Sequence, residues 1–283
     1  MMPARQSPVP SLTDRPALLR NRARAGRIGP VDFLHRIVAD EIQDRLAEVN
    51  RRFTAPAVVS GRPEFWANFA AGILPDAKLV ADTPELDLTP GAHDLVVHAM
   101  ALHWAEDPVG QIVQCARALR PDGLFVAALP GGRSLHELRE ALTRAEAEVV
   151  GGLSPRVLPM AEIRDLGALL SRAGLALPVA DQIGQVVSYR DLFHLARDLR
   201  GMGENNALAA RLRRPTRRDV LLRAAQLYAE LHPDPGDPQR IRASFDLVFL
   251  TGWAPDASQQ QPLRPGSAKV PLAEALASLR KPQ

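Results

Sequence analysis

Residues 94–128 read DLVVHAMALHWAEDPVGQIVQCARALRPDGLFVAA, and this stretch decides the fold. Its first five residues, Asp94 to His98, form a short β-branched run that suits a buried strand better than a helix. A loop through Leu102, His103 and Trp104 follows. The segment 108–119 then carries Val109, Ile112 and Val113 at helical spacing, and Pro121, Asp122 and Gly123 form a turn. Leu124 to Ala128 is a second apolar strand. A strand, a helix of about ten residues and another strand predict a parallel pair with a right-handed crossover, hence a sheet covered on both faces.

Working outward, the same grammar recurs upstream. Lys78 to Ala81 and Ala57 to Ser60 are short apolar runs, and Gly61, Arg62 and Pro63 turn the earlier one into a helix over 64–73. Residues 31–50 place Phe33, Leu34, Ile37, Val38, Ile42, Leu46 and Val49 on one helical face. Downstream, helices are predicted near 135–148, 160–173, 191–200 and 218–232. Alternation of Ala243, Phe245, Leu247 and Phe249 predicts a strand over 242–251 that pairs beside residues 185–189 at a sheet edge. The predicted division is a disordered tail over 1–30, where Asp14 and Pro16 interrupt an arginine-rich stretch, a main domain over 31–253, and an irregular tail over 254–283.

Composition narrows the classes. The chain has 283 residues, 46% of them apolar, which is enough for one large core. No apolar run reaches the roughly 18–20 residues of a membrane span, and the expectation is a soluble cytoplasmic protein. A single cysteine, Cys115, on a helix beside Ile112, points to a reducing compartment and to packing rather than nucleophilic work. The net charge of +3 is too balanced for a dedicated nucleic-acid binder. The densest run, Arg211, Arg213, Arg214, Arg217 and Arg218, has no interleaved aromatic residues that would stack on RNA bases. It reads as a solvated face, with peripheral contact to an anionic inner membrane, at about 1 kcal/mol per arginine, as the alternative use.

Several stretches together resemble one family. DLVVHAMALHWAEDP, RALRPDGLFVAALPGG with SLHELR after it, SPRVLPMAEIRDLGALLSRAGLALPV, RDLRGMGENNAL and TGWAPDASQQQPLRPGSAKV are similar to the methyltransferase-like assembly factors of respiratory complex I, assembly factor five, over roughly residues 30–275. The resemblance implies an α/β, Rossmann-like class I methyltransferase sheet with added helices in the C-terminal half. It also implies an S-adenosylmethionine pocket at the carboxyl ends of the strands and a complex I subunit as protein partner.

Against that pattern the first loop is altered. Such folds lead from the first strand into a glycine-rich turn, and here the loop is AVVSGRPEFW, with Gly61 its only glycine and Arg62 and Pro63 where small residues belong. Arg62 would repel a cationic sulfonium. The interval from Gly61 to Asp94 is also too short for the usual helix, strand, helix and strand, so one strand and one helix are missing relative to the family. The candidate cofactor residues are Ser60, Gly61, Asp82, Ala99, Met100 and Leu102, with Asp82 matching the acid before the adenine-contacting loop or serving only as a strand-end turn residue. His103 is the candidate general base or else a packing residue beside Trp104. The Gly131 to Ser134 turn could receive an anion on its backbone N–H groups or merely join a strand to a helix. No zinc spacing, P-loop or nucleophile-elbow motif is present. Three functional readings follow. One is a catalytically weak or inactive methyltransferase-like factor that assists complex I assembly; the second is an active enzyme that methylates a protein side chain; the third, a nucleic-acid methyltransferase, rests only on the fold and the arginine cluster.

Overall fold

The computed structural model describes residues 11–49 and 51–260. Eight helices and seven strands alternate in the order α1 (Arg15–Ile28), α2 (Phe33–Glu48), β1 (Pro56–Ser60), α3 (Pro63–Ile73), β2 (Lys78–Ala81), β3 (His93–Ala99), α4 (Pro108–Ala118), β4 (Leu119–Gly131), α5 (His136–Val150), α6 (Ile163–Arg172), β5 (Ala176–Tyr189), α7 (Leu192–Met202), α8 (Arg218–Leu231), β6 (Pro233–Asp234) and β7 (Asp237–Trp253). They build one sheet in the order β2-β1-β3-β4-β7-β5, with β6 paired to β7. The four strands β2, β1, β3 and β4 run parallel, and β7 is antiparallel to both β4 and β5. This is a Rossmann-like class I methyltransferase sheet closed by an antiparallel edge pair.

The sequence dictates the layers. Every residue of β1 and of β3 is buried, as central parallel strands covered on both faces require. Alternate side chains divide between two cores: Val58, Val97, Val126 and Ala128 pack with α2, α5 and α8, whereas Val59, Val96, Phe125 and Ala127 pack with α4 and α6. Pro63 and Pro108 stand in the first turns of α3 and α4, and Asp107 caps α4 by accepting from Gly110 N–H at 2.8 Å. In the edge pair, Gln185 lies opposite Phe245 and Tyr189 opposite Ile241.

Between β1 and β3 the chain holds only α3 and β2, and β2 pairs directly with β1. One strand and one helix are therefore absent from this side of the sheet. Leu79 of β2 is 40% exposed.

Residues 15–28, expected to be disordered, instead form α1. Asp14 caps it by accepting from Ala17 N–H at 3.0 Å, and Pro16 sits in the first turn, where a missing N–H is harmless. The segment before the helix is tied down as well. Thr13 bridges Leu208, Glu106 accepts from the backbone N–H groups of Leu12 and Thr13, and Asp14 pairs with Arg211 at 2.8 Å. Residues 254–260 carry no helix or strand, and the rest of the predicted irregular tail lies outside the described residues.

Candidate functional site

Strand order reverses between β1 and β3, since the chain leaves β1 toward β2 on one side and returns to β3 on the other. In open α/β sheets this reversal opens a crevice at the carboxyl ends of the strands. Ser60, Gly61, Ala99 and Met100 stand there.

Arg22 of α1 fills it. A Cβ built on Gly61 would lie 2.1 Å from Arg22 Nη1 and 2.2 Å from its Cζ, so the guanidinium rests directly against the glycine. The same group donates to Asp82 Oδ2 at 2.7 Å, while Arg15 holds Asp82 in a fork at 2.7 and 3.1 Å. Asp82 and Arg22 are both buried. Burial alone would raise the Asp82 pKa, but the Arg15 hydrogen bonds and the Arg22 charge outweigh it and hold the carboxyl below its ordinary value. Both carboxylate oxygens that could receive a nucleoside are thus taken by the protein's own arginines.

Ser60 is spent locally, its Oγ accepting from Arg62 N–H at 3.0 Å to close the turn. Arg62 does not face the crevice charge-first, as its sequence position suggested. It pairs with Asp32 at 2.5 Å and donates to the Met202 carbonyl at 3.0 Å, so the cation beside Gly61 is Arg22 instead.

The other predicted residues divide. Ala99 and Leu102 are buried in opposite cores. Met100 follows β3 with φ 51°, in the left-handed region that non-glycine residues seldom adopt, and lines a cavity of about 170 Å³. That cavity lies beyond the ends of β3 and β4, beside α2, α5 and α7. Leu135, Leu138 and Phe245 contribute apolar walls, and His35, His103 and Glu204 stand among the polar ones, with Arg156, Arg200, Asn205 and Asn206.

His103 and Trp104 converge on Glu204. His103 Nε2 meets Oε2 at 3.2 Å, and the Trp104 indole N–H donates to the same oxygen. Burial opposes the Glu204 charge, but the His103 bond and charge, the Arg22 charge and the indole donor overcome it and hold the pKa at about 2. His103 Nδ1 is buried without a partner among the described residues. His35 Nδ1 accepts from Trp66 Nε1–H at 3.2 Å, and burial, aided by the Arg62 charge, drives the His35 pKa down to about 3. His98 is neutral too: Gln111 gives its N–H to the Thr83 carbonyl and turns its oxygen to His98 Nε2 at 2.8 Å.

The Gly131 to Ser134 turn does hold an anion, and the anion is Asp246. Its carboxylate accepts from Arg133 N–H at 2.7 Å and leaves Gly132 no room for a side chain. Cys115 is fully buried and its thiol pKa is pushed up. Among the described residues no group of histidine, cysteine and acidic side chains is placed to hold a metal, and no helix is long and apolar enough to cross a membrane.

Sequence reading missed Arg15, Arg22, His35 and Glu204. A signal for Arg22 was present in GMGENN, where Gly203 (φ 81°) would place a Cβ only 3.0 Å from the Arg22 Cα: glycine is there so that α1 can approach.

A methyltransferase-domain family model matches residues 58–127. The human protein named arginine-hydroxylase NDUFAF5, mitochondrial, is 33% identical over 265 residues, covering 86% of this chain and 76% of the human one. Its namesake in Danio rerio is 32% identical and is covered to 82%. The chain belongs to the NDUFAF5 family. Its likeness to the NDUFAF5 of Dictyostelium discoideum is 41% over 181 residues, but these span only 41% of that relative's length, less than two thirds of it. Among solved structures, phosphoethanolamine N-methyltransferase 2 of Haemonchus contortus superposes with a TM-score of 0.43 at 11% identity, over 81% of this chain and 54% of that one.

Proposed function

We propose that this NDUFAF5-family chain serves the assembly of respiratory complex I as a methyltransferase-like binding factor, with methyl transfer weak or lost. The observation that carries the reading is Arg22 lying on Gly61 while it and Arg15 occupy Asp82. The residues present do not fit S-adenosylmethionine: its sulfonium would meet a fixed guanidinium, and its nucleoside would find no free carboxylate. What remains open is the neighbouring cavity, in the place where such a fold receives the group to be acted upon. The name of the relatives, arginine-hydroxylase, supports a protein partner that offers an arginine.

Contact with the inner membrane fits the same role. Arg211 and Arg213 pair with Asp14 and Arg217 with Asp219, yet Arg213, Arg214, Arg217 and Arg218 all lie on the exposed surface, where they can face anionic headgroups.

Thermal unfolding with millimolar S-adenosylmethionine, and with its demethylated product, tests the reading. A ligand bound at about 10 μM, in roughly 100-fold excess, adds about 2.7 kcal/mol and raises the midpoint by several degrees. The expected shift is none. A rise with either ligand would restore the alternative, an active methyltransferase of a protein side chain.

A further inference from the structure

We infer that the surface groove between α5, the loop over 151–162 and residues 208–210 is a docking site for a segment of a partner protein that carries acidic side chains between apolar ones. The inference deepens the proposed function and rests on its claim that the chain engages a protein.

The groove measures about 610 Å³, and its apolar walls include Leu12, Leu153, Val157, Pro159 and Leu208. Leu153 stands on it at 68% exposure, the highest of any large apolar side chain among the described residues. Single exposed leucines are ordinary, but apolar side chains gathered along one cleft mark a binding surface. Arg156 and Val157 line the cavity beyond β3 and β4 as well, so a partner seated in the groove stands beside that cavity.

Charge selects the partner. Among the described residues no acid lines the groove, whereas Arg139 and Arg156 both do. Arg139, half-buried on α5, gives one terminal nitrogen to the Leu158 carbonyl at 3.0 Å and meets no carboxylate among the described residues. Its other donors are left for a ligand, and Thr143, one turn further along α5, lines the same groove. The acids nearby are already engaged. Asp14 pairs with Arg211 and Arg213, Glu146 with Arg156, and Glu106 accepts from the backbone N–H groups of Leu12 and Thr13. From Ala210, on the groove, the chain runs on into the exposed Arg213 and Arg214. A partner's carboxylate therefore meets a cation in a partly desolvated place, where a charge-assisted hydrogen bond is strong, and a partner's lysine or arginine is repelled there.

The test is fluorescence anisotropy of three rhodamine-labelled peptides titrated with the full chain: Gly-Leu-Asp-Leu-Asp-Leu-Gly, and its counterparts with asparagine or with lysine in place of both aspartates. The expected result is saturable binding of the aspartate peptide and at least tenfold weaker binding of the other two. Arg139→Gln and, separately, Leu153→Ser should each weaken the aspartate peptide at least fivefold. Leu153 is exposed enough for its variant to fold, so it decides the matter should Arg139→Gln fail to do so. Equal binding of the three peptides, an affinity unmoved by Leu153→Ser, or no binding at all overturns the docking site. So does either of two other occupants: vesicles of phosphatidylglycerol and phosphatidylcholine that bind the chain through Leu153 while the peptide does not, or self-association of the chain that Leu153→Ser abolishes in sedimentation. If the peptide fails and S-adenosylmethionine gives no thermal shift, the proposed function stands without the groove. If S-adenosylmethionine binds, that reading falls, and the peptide ratios still judge the groove.

Discussion

Gly61 and Arg22 compete for one volume, and that competition can be measured. A methyl group on Gly61 would overlap the guanidinium, which must then leave Asp82. Gly61→Ala should therefore destabilise the protein, and the cost should shrink by about 1 kcal/mol or more in an Arg22→Ala background, a coupling of the size seen for residues in direct contact. Additive effects in urea unfolding would mean that Arg22 does not rest on the glycine. Asp82→Asn should cost more than Arg22→Ala. Removing the acid leaves the buried Arg22 guanidinium without its counter-ion and beside the half-buried Arg15, whereas removing Arg22 leaves Asp82 its fork with Arg15. The reverse order would refute the view that Asp82 is the centre of the cluster.

At the scale of elements, α1 is what converts a cofactor crevice into a filled one, and it hangs on few anchors. Asp14 provides the helix cap and the pair with Arg211. In Asp14→Ala, hydrogen exchange at the α1 amides should accelerate at least tenfold while that of β3 and β4 is unchanged; equal protection would mean that the Arg15 and Arg22 pairs with Asp82 and the buried Ala17, Leu18 and Ala25 retain the helix without the cap. This element was also the least legible in sequence. Its buried face is Leu18, Arg22 and Ala25, at helical spacing, but an arginine stands where the pattern needs an apolar residue, so the stripe reads as broken. The central strands were easy for the opposite reason, since β1 and β3 bury every residue and carry short β-branched apolar runs, Ala57 to Val59 and Leu95 to Val97. The missing strand and helix were legible from the spacing between Gly61 and Asp94, because chain length limits what can be built. Glu204 was not, for a carboxylate becomes notable only when His103 and Trp104, a hundred residues away in sequence, are seen to meet it.

For the whole molecule, the buried histidines make acid the natural denaturant. Burial holds the His35 pKa at about 3 and depresses that of His98, against an ordinary value near 6.5. The unfolded chain therefore binds protons that the folded chain refuses. Stability is fully present above about pH 6.5 and declines as the pH falls below it, by about 1.4 kcal/mol per pH unit for each histidine kept neutral. Glu204 adds to the decline in a lower window: its pKa is depressed from 4.5 to about 2, so its contribution is present above pH 4.5 and lost as the pH falls toward 2. His35 alone removes about 2 kcal/mol by pH 5, and His98 acts in the same direction, against the roughly 5–15 kcal/mol that holds a domain. Urea unfolding at intervals between pH 7 and pH 5 should show this slope, and His35→Gln, whose oxygen can still accept from Trp66, should reduce it by about 1.4 kcal/mol per pH unit. An unchanged slope would show that His35 takes up its proton in the folded state, and that the wall it forms beside the Glu204 cavity opens to water as the pH falls.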